Sequence, residues 1–403
     1  MKINLIRLAS SIDPNKPYLK DSEEFIAEIN NELFEYDLEV ASNINDGLFS
    51  IIFIETGGSE QLFKNIFQSL PEPIILLTDS KNNSLAATLE IRTFLEQRNK
   101  RHLLLFGEEK NIARTIYEMS KYYICKRNMD EANLGVIGHP SDWLIASKVD
   151  YKTAKEKFNV NLIDISTDEL KQEIEKGYVD HIPHLSVLKQ KAASSEVLDG
   201  ALKIYSGLKR IIKKYDLKGF TLRCFDLISE YKNTACLAFA LLNEEGITAT
   251  CEGDVPTLIT MFVIKSALNL SSFQANPSRI DVKDMSVLFA DCTVPINMSE
   301  DYELMTHFES GLGIGVRGKL HKGKVTIIKI NPELDHTLFI SGEIEENTTY
   351  ENCCRTQIKV KIDEDGLFDL IKTPFGNHVV IVYGDVIDSI IPILDLYQCL
   401  NNQ

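Results

Sequence analysis

The stretch richest in chemical character is Thr250-Cys251-Glu252-Gly253-Asp254-Val255-Pro256. The run before it, Gly246-Ile247-Thr248-Ala249-Thr250, reads as a buried strand, and an apolar helix is expected from residue 256 to about 268. Two carboxylates therefore stand at the carboxyl end of a strand, where open α/β sheets hold their ligands. Pro256 suits the first helical turn, where its missing N–H is not needed. Asp254 is placed to cap that helix. Glu252 has no such structural duty. A carboxylate at a buried strand end costs free energy unless a cation or a donor faces it, so metal or substrate ligation is the chemistry it suggests.

Three later stretches supply further groups. Phe289-Ala290-Asp291-Cys292 puts an acid directly after an apolar run. His307-Phe308-Glu309-Ser310-Gly311-Leu312-Gly313-Ile314-Gly315 carries a His and a Glu into a glycine-rich segment. No helix-opening pattern follows its glycines, so a close-packed loop is expected there rather than a nucleotide site. Gly376-Asn377-His378 leads into the apolar run Val379-Val380-Ile381-Val382-Tyr383. A single histidine in such a place is more often structural than functional. Taken together, Glu252, Asp291 and His378 form an oxygen-plus-imidazole set. That set suits a hard to borderline divalent cation, manganese, magnesium or cobalt, rather than zinc held by thiols.

The elements that must position these groups follow from hydrophobic patterning. Residues 1–130 alternate strand-like runs at 3–6, 48–54, 73–78 and 102–106 with helical spacing between them. Continuous apolar strands separated by helices predict a parallel sheet covered on both faces. The corner Thr56-Gly57-Gly58-Ser59-Glu60 could offer N–H groups to an anion or a sugar hydroxyl. It lacks both the Lys-Ser/Thr of a phosphate loop and the dinucleotide fingerprint, so a plain strand-to-helix turn is the simpler reading. Glu55 and Glu60 flank that corner and are candidates for a subunit interface, with a solvated loop as the alternative. The charged run at 126–131 is expected to be a linker. A second α/β unit, 131–268, shows strands at 134–138, 160–165, 219–225 and 246–250 and a long helix at 195–214. From 269 the pattern changes to short strands and turns, at 286–290, 325–330, 337–340, 358–362 and 379–383. The fold class predicted is α/β, with two Rossmann-like parallel-sheet domains followed by a mainly antiparallel, barrel-like domain at 269–403.

Composition narrows the function classes. The 403 residues carry a net charge of −16, which argues against nucleic acid and against an anionic membrane surface as partners. No window holds the roughly 18 apolar residues of a membrane span. The opening Met1-Lys2-Ile3-Asn4-Leu5-Ile6 is too short for a secretory leader, so a cytoplasmic protein is expected. The eight cysteines include no CxxC pair, and reduced thiols are expected.

Several segments resemble the L-fucose isomerase and L-arabinose isomerase superfamily, most of all its shorter fucose-isomerase-like members. They are Thr221-Leu222-Arg223-Cys224-Phe225-Asp226, Ala249-Thr250-Cys251-Glu252-Gly253-Asp254-Val255, Phe308-Glu309-Ser310-Gly311, Cys354-Arg355-Thr356 and Gly376-Asn377-His378. The resemblance implies a metal-dependent aldose–ketose isomerase acting through an ene-diol on a fucose- or arabinose-like monosaccharide. It further implies manganese as the cation and a homotrimer or homohexamer. Glu252 matches the family's metal-binding, proton-transferring glutamate, and His378 its metal histidine. Where the family's second acid is expected the chain has Asn276, whose amide cannot accept a proton at neutral pH. Asp281 follows five residues later, and Asp291 stands where many relatives carry a histidine ligand. Trp143 is a candidate to stack on a sugar ring, with a buried packing role as the alternative. Arg355 is a candidate to hold a sugar hydroxyl or phosphate, with a structural ion pair as the alternative, and Asn377 is a candidate substrate contact. The departure at Asn276 keeps a second function open, a sugar- or sugar-phosphate-binding protein without isomerase activity.

Overall fold

The computed structural model describes residues 1–10, 18–33, 36–40 and 47–400. The chain forms two compact units, Met1–Ile124 and Cys125–Gln403.

The first unit is a parallel sheet of β1 (Lys2–Leu8), β2 (Asp37–Val40), β3 (Ser50–Ile54), β4 (Ile74–Thr78) and β5 (His102–Leu105), in the order β2-β1-β3-β4-β5. β3 and β4 are buried at every position, as their unbroken apolar sequences require of central strands with helices on both faces. The 56–60 corner spends its polar groups internally. Gly57 N–H donates to Asn82 O at 2.9 Å and Ser59 Oγ to Thr56 O at 2.8 Å. Arg7 Nε donates to the buried Glu55 carboxylate at 2.8 Å. This is the plain turn that the sequence offered as its simpler reading.

The second unit joins a parallel sheet, a barrel and a two-stranded ribbon around one core. Its parallel sheet has β6 (Asn133–Ile137), β7 (Asn161–Ile165), β8 (Leu217–Leu222) and β9 (Thr248–Cys251), in the order β7-β6-β8-β9. The helix Ser195–Tyr215 covers it, capped by Ser194 and burying Leu198, Leu202, Tyr205, Leu208 and Ile212 along one stripe. The closed barrel is built from β10 (Ser272–Asp281), β11 (Ser286–Asp291), β14 (Gly323–Ile330), β15 (Thr337–Asn347), β16 (Thr356–Ile362) and β17 (Val379–Tyr383). Each neighbouring pair is antiparallel, in the circular order β10-β11-β16-β15-β14-β17. β12 (Ser299–Met305) and β13 (Gly315–Leu320) form a separate ribbon. The helix Val255–Leu268 is apolar nearly all round because it lies between the parallel sheet and the barrel, touching β8 and β9 on one side and β10, β14 and β17 on the other.

The structure corrects several expectations. The charged run at 126–131 is not a free linker. Lys126 and Arg127 belong to the last turn of the helix Glu109–Met129, where cations favour the negative helix end. β10 was not anticipated, since its polar residues and Pro277 do not read as a strand. The proline is accommodated at a bulge between Pro277 and Arg279. The glycine-rich loop is close-packed, as expected, only at its Gly313–Gly315 end; at Gly311 it is open. A Cβ on Gly313 would stand 2.6 Å from Thr234 N, and Thr234 Oγ1 donates to Ile314 O at 2.7 Å.

Candidate functional site

The site begins where β9 ends. Glu252 and Gly253 both take left-handed backbone angles, φ 65° and 74°. For a glutamate this is uncommon, and it persists only where the surroundings impose it. Here they do. A Cβ on Gly253 would lie 2.6 Å from His139 O, and Ser141 N–H donates to Glu252 O at 2.9 Å. The loop after β6 is thus pressed onto the turn. Arg223, just after β8, holds that loop from the other side with two bonds to Asp142, at 3.0 and 2.8 Å, and one to Pro140 O at 3.1 Å. The result delivers Trp143, whose indole Nε1–H donates to Glu252 Oε2 at 2.6 Å.

Asp254 does more than cap the helix. Its Oδ1 accepts from Thr257 N at 2.9 Å, and its Oδ2 faces His378 Nδ1 at 2.8 Å. The fully buried ammonium of Lys329, on β14, lies 3.4 Å from both oxygens and hydrogen-bonds Thr257 Oγ1 as well. A carboxylate only accepts, so Nδ1 of His378 carries the proton and Nε2 points the other way. Nε2 is buried, has no hydrogen-bond partner and stands 3.6 Å from Glu252 Oε1. An orphaned imidazole nitrogen beside a carboxylate, with its other nitrogen anchored by a second carboxylate, is the arrangement of metal-binding histidines. The residues therefore fit a divalent cation. Among the described residues, the group of potential ligands whose donor atoms lie within 4.8 Å of one another is Cys251, Glu252 and His378.

Electrostatics follow from these contacts. Burial works against charge on Glu252 and Asp254, but His378 holds Glu252 below the usual range, and Lys329 with His378 holds Asp254 well below it. Burial likewise disfavours the imidazolium of His378, yet the flanking Asp254 and Glu252 carry it up to about 10 in the metal-free protein. Asp291 lies within reach of these charges but outside the donor group. Its Oδ1 accepts from Cys292 N at 2.7 Å, Thr293 N at 2.9 Å and Thr293 Oγ1 at 2.6 Å. Burial raises its carboxyl to about 6.

Glu252 opens into a cavity of about 600 Å³ lined also by Trp143, Asn276, Arg279, Glu309 and Asn377. Asn377 Nδ2 approaches Asn276 Oδ1 at 3.5 Å. Trp143 meets the cavity edge-on to Phe225, ring centroids 4.9 Å apart. Arg355 turns away to Thr306, donating to its carbonyl at 2.6 Å, and does not line the cavity. Asp281 accepts from Lys283 and Asp284 N–H groups in its own turn, each at 3.0 Å. Two participants, Lys329 and Arg279, went unread in the sequence. Cys251 and Glu309 stood in stretches the sequence singled out, but without their places here, Cys251 beside Glu252 and His378 and Glu309 in the cavity lining, held by His307 Nε2 at 2.9 Å. A lysine inside Val325-Thr326-Ile327-Ile328-Lys329-Ile330 was the one local signal, since a buried lysine demands a counter-charge.

This is an α/β-plus-barrel protein with a carboxylate–imidazole pair whose imidazole, His378, is buried and whose carboxylate, Glu252, faces a cavity lined by polar and aromatic side chains. No protein-family model matches it. The chain is similar to proteins named sulfoquinovose isomerase. It is 22% identical over 317 residues to that of Priestia megaterium, covering 73% of this chain and 70% of the relative. It is 21% identical over 364 residues to that of Clostridium sp., covering 82% and 78%. It is 19% identical over 324 residues to that of Alkalicoccus urumqiensis, covering 76% and 73%. These likenesses support a sugar isomerase. They do not single out the fucose- and arabinose-isomerase superfamily. Among the described residues no helix is long and apolar enough to cross a membrane.

Proposed function

We propose that this protein is a metal-dependent aldose–ketose isomerase whose substrate is an anionic monosaccharide. One observation carries the reading. His378 Nε2, which makes no hydrogen bond, and the carboxylate of Glu252 converge at 3.6 Å, with Asp254 fixing the imidazole and Glu252 lining an open cavity. A divalent cation bound there supplies a Lewis acid for the sugar's carbonyl and neighbouring hydroxyl oxygens. Glu252 and His378 would hold it, with Asp291 within electrostatic reach but outside the donor group. The resemblance to fucose and arabinose isomerases implies manganese.

The chain's own groups handle the protons. A base must take the proton from the carbon beside the aldehyde, leaving an ene-diol, and return it to the former carbonyl carbon. Asn276 cannot accept a proton, but its amide and that of Asn377 suit sugar hydroxyls. Glu309 lines the same cavity and is backed by His307, so it takes the second-carboxylate role opposite Glu252. Burial disfavours charge on His307, but its bond to Glu309 raises its affinity for a proton, which suits a relay.

The substrate class rests on Arg279. Its guanidinium lines the cavity, donates to Asn352 Oδ1 at 2.6 Å and lies 4.2 Å over the Tyr350 ring. The relatives' name specifies a sulfonated sugar, and a guanidinium fork matches a sulfonate or phosphate. Fucose- and arabinose-like sugars form the neutral arm of the test. A cytoplasmic trimer or hexamer completes the proposal, with light scattering as the check on assembly. Protein stripped with chelator and reloaded with a divalent ion should interconvert a sulfonated or phosphorylated aldose and its ketose. Binding of these sugars with no turnover in any metal form would refute the isomerase and favour a sugar-binding protein.

A further inference from the structure

Successive residues of a strand point to opposite faces, so Cys251 and Glu252 should not serve one ion. The left-handed φ of 65° at Glu252 breaks that alternation. It lets the Glu252 carboxylate stand beside the Cys251 thiol, and one donor atom from each of Cys251, Glu252 and His378 lies within 4.8 Å of the other two. The independent sign of a missing ligand is His378 Nε2, buried and without a hydrogen bond, with the Glu252 carboxylate 3.6 Å away. Thiol, imidazole and carboxylate thus converge, with the cavity left to supply sugar oxygens.

We propose that Cys251 is a third protein ligand of the cation, and that its sulfur makes the site prefer cobalt, zinc or iron(II) to manganese and magnesium. The inference rests on the reading that Glu252 and His378 hold a divalent ion. Coordination breaks the S–H bond of Cys251 and forms an S–metal bond, and the proton leaves to solvent. No electron is transferred, so no oxidant is needed. A soft thiolate among harder donors moves selectivity toward the borderline ions, whereas carboxylate and water alone suit manganese and magnesium. Three protein ligands with open positions for substrate are also the pattern of catalytic rather than structural sites. The resemblance to fucose and arabinose isomerases implies manganese, and Cys251 is where this chain's own donor set departs from that expectation.

The test uses full-length protein stripped with chelator and titrated with cobalt(II) chloride alone. Wild type should develop a near-ultraviolet sulfur-to-cobalt charge-transfer band that saturates at one equivalent. C251S should lose the band and bind cobalt at least about tenfold more weakly, since even outer-sphere changes cost that much. C224S removes a thiol that touches Cys251 but lies outside the donor group, and it should keep the band. Should C251S fail to fold, X-ray absorption on the wild-type cobalt form decides the matter through a sulfur scatterer at about 2.3 Å. Cobalt binding that E252Q and H378N weaken, but that shows no sulfur signature, overturns the Cys251 ligand and leaves the metal site standing. Absent cobalt binding, or binding indifferent to E252Q and H378N, overturns both.

Discussion

Asp254→Asn removes a charge while keeping a shape. Asparagine is as good a helix cap as aspartate, so the bond from Thr257 N survives. What disappears is the negative charge facing Lys329 Nζ at 3.4 Å and His378 Nδ1 at 2.8 Å. Lys329 is 1% exposed and has no route to solvent. Leaving one member of a buried ion pair uncompensated costs about 3–5 kcal/mol, and that is the expected loss. Replacing both members with neutral groups is far milder, so D254N with K329M should recover at least about 2 kcal/mol relative to the sum of the single changes. The assay is equilibrium urea unfolding read by Trp143, the chain's single tryptophan, which reports on the 125–403 unit that holds the pair. The sign with pH is also determined. Asp254 is held below its ordinary value, so the wild-type advantage is full above about pH 4 and fades as pH falls further. His378 loses its anchor, so metal affinity should drop about 10- to 100-fold. A loss under about 1 kcal/mol, or single changes that add within about 0.5 kcal/mol, would refute the claim that Lys329 depends on Asp254.

In chelator, His378 is held up to about 10 against an unfolded value near 6.5. Its contribution, on the order of 5 kcal/mol, is full below about pH 6.5 and lost as pH rises through 10. Urea unfolding of metal-free protein across that range should show the decline, and H378N should abolish it. G253A meets the His139 carbonyl at 2.6 Å in a left-handed backbone, so destabilisation beyond about 3 kcal/mol is expected. A normal melting temperature for that variant would contradict the packing described. R279M should raise KM for a sulfonated or phosphorylated aldose by about tenfold or more, the worth of a charge-assisted bond, while leaving neutral sugars unchanged. W143F removes the donor to Glu252 Oε2 and keeps an aromatic ring. A fall in kcat of about tenfold or more, with KM little changed, is expected from the loss of that bond.

Much of the site's framework was legible from local pattern. Continuous apolar strands announced parallel sheets, and the change to short alternating runs after residue 269 announced the antiparallel barrel. Asp254 followed by Pro256 marked a helix start, and the helix begins there, at Val255. Glu252 stood out because a carboxylate at a buried strand end needs a partner. Such readings work because periodicity, capping and burial cost are properties of neighbouring residues.

The rest required the chain to be folded. β10 went unread because a bulge accommodates its proline, and bulges are settled by pairing with β11 rather than by local sequence. Lys329 and His378 lie 75 and 124 residues from Asp254, and no spacing rule links them. Sequence alone determined which groups were available and which elements would carry them. Tertiary structure decided which groups face one another. It did so at the Glu252-Gly253 turn, where contact with the His139-Pro140 backbone imposes a left-handed bend. That bend sets Cys251 and Glu252 beside His378, because the direction of a side chain depends on backbone angles that distant packing enforces.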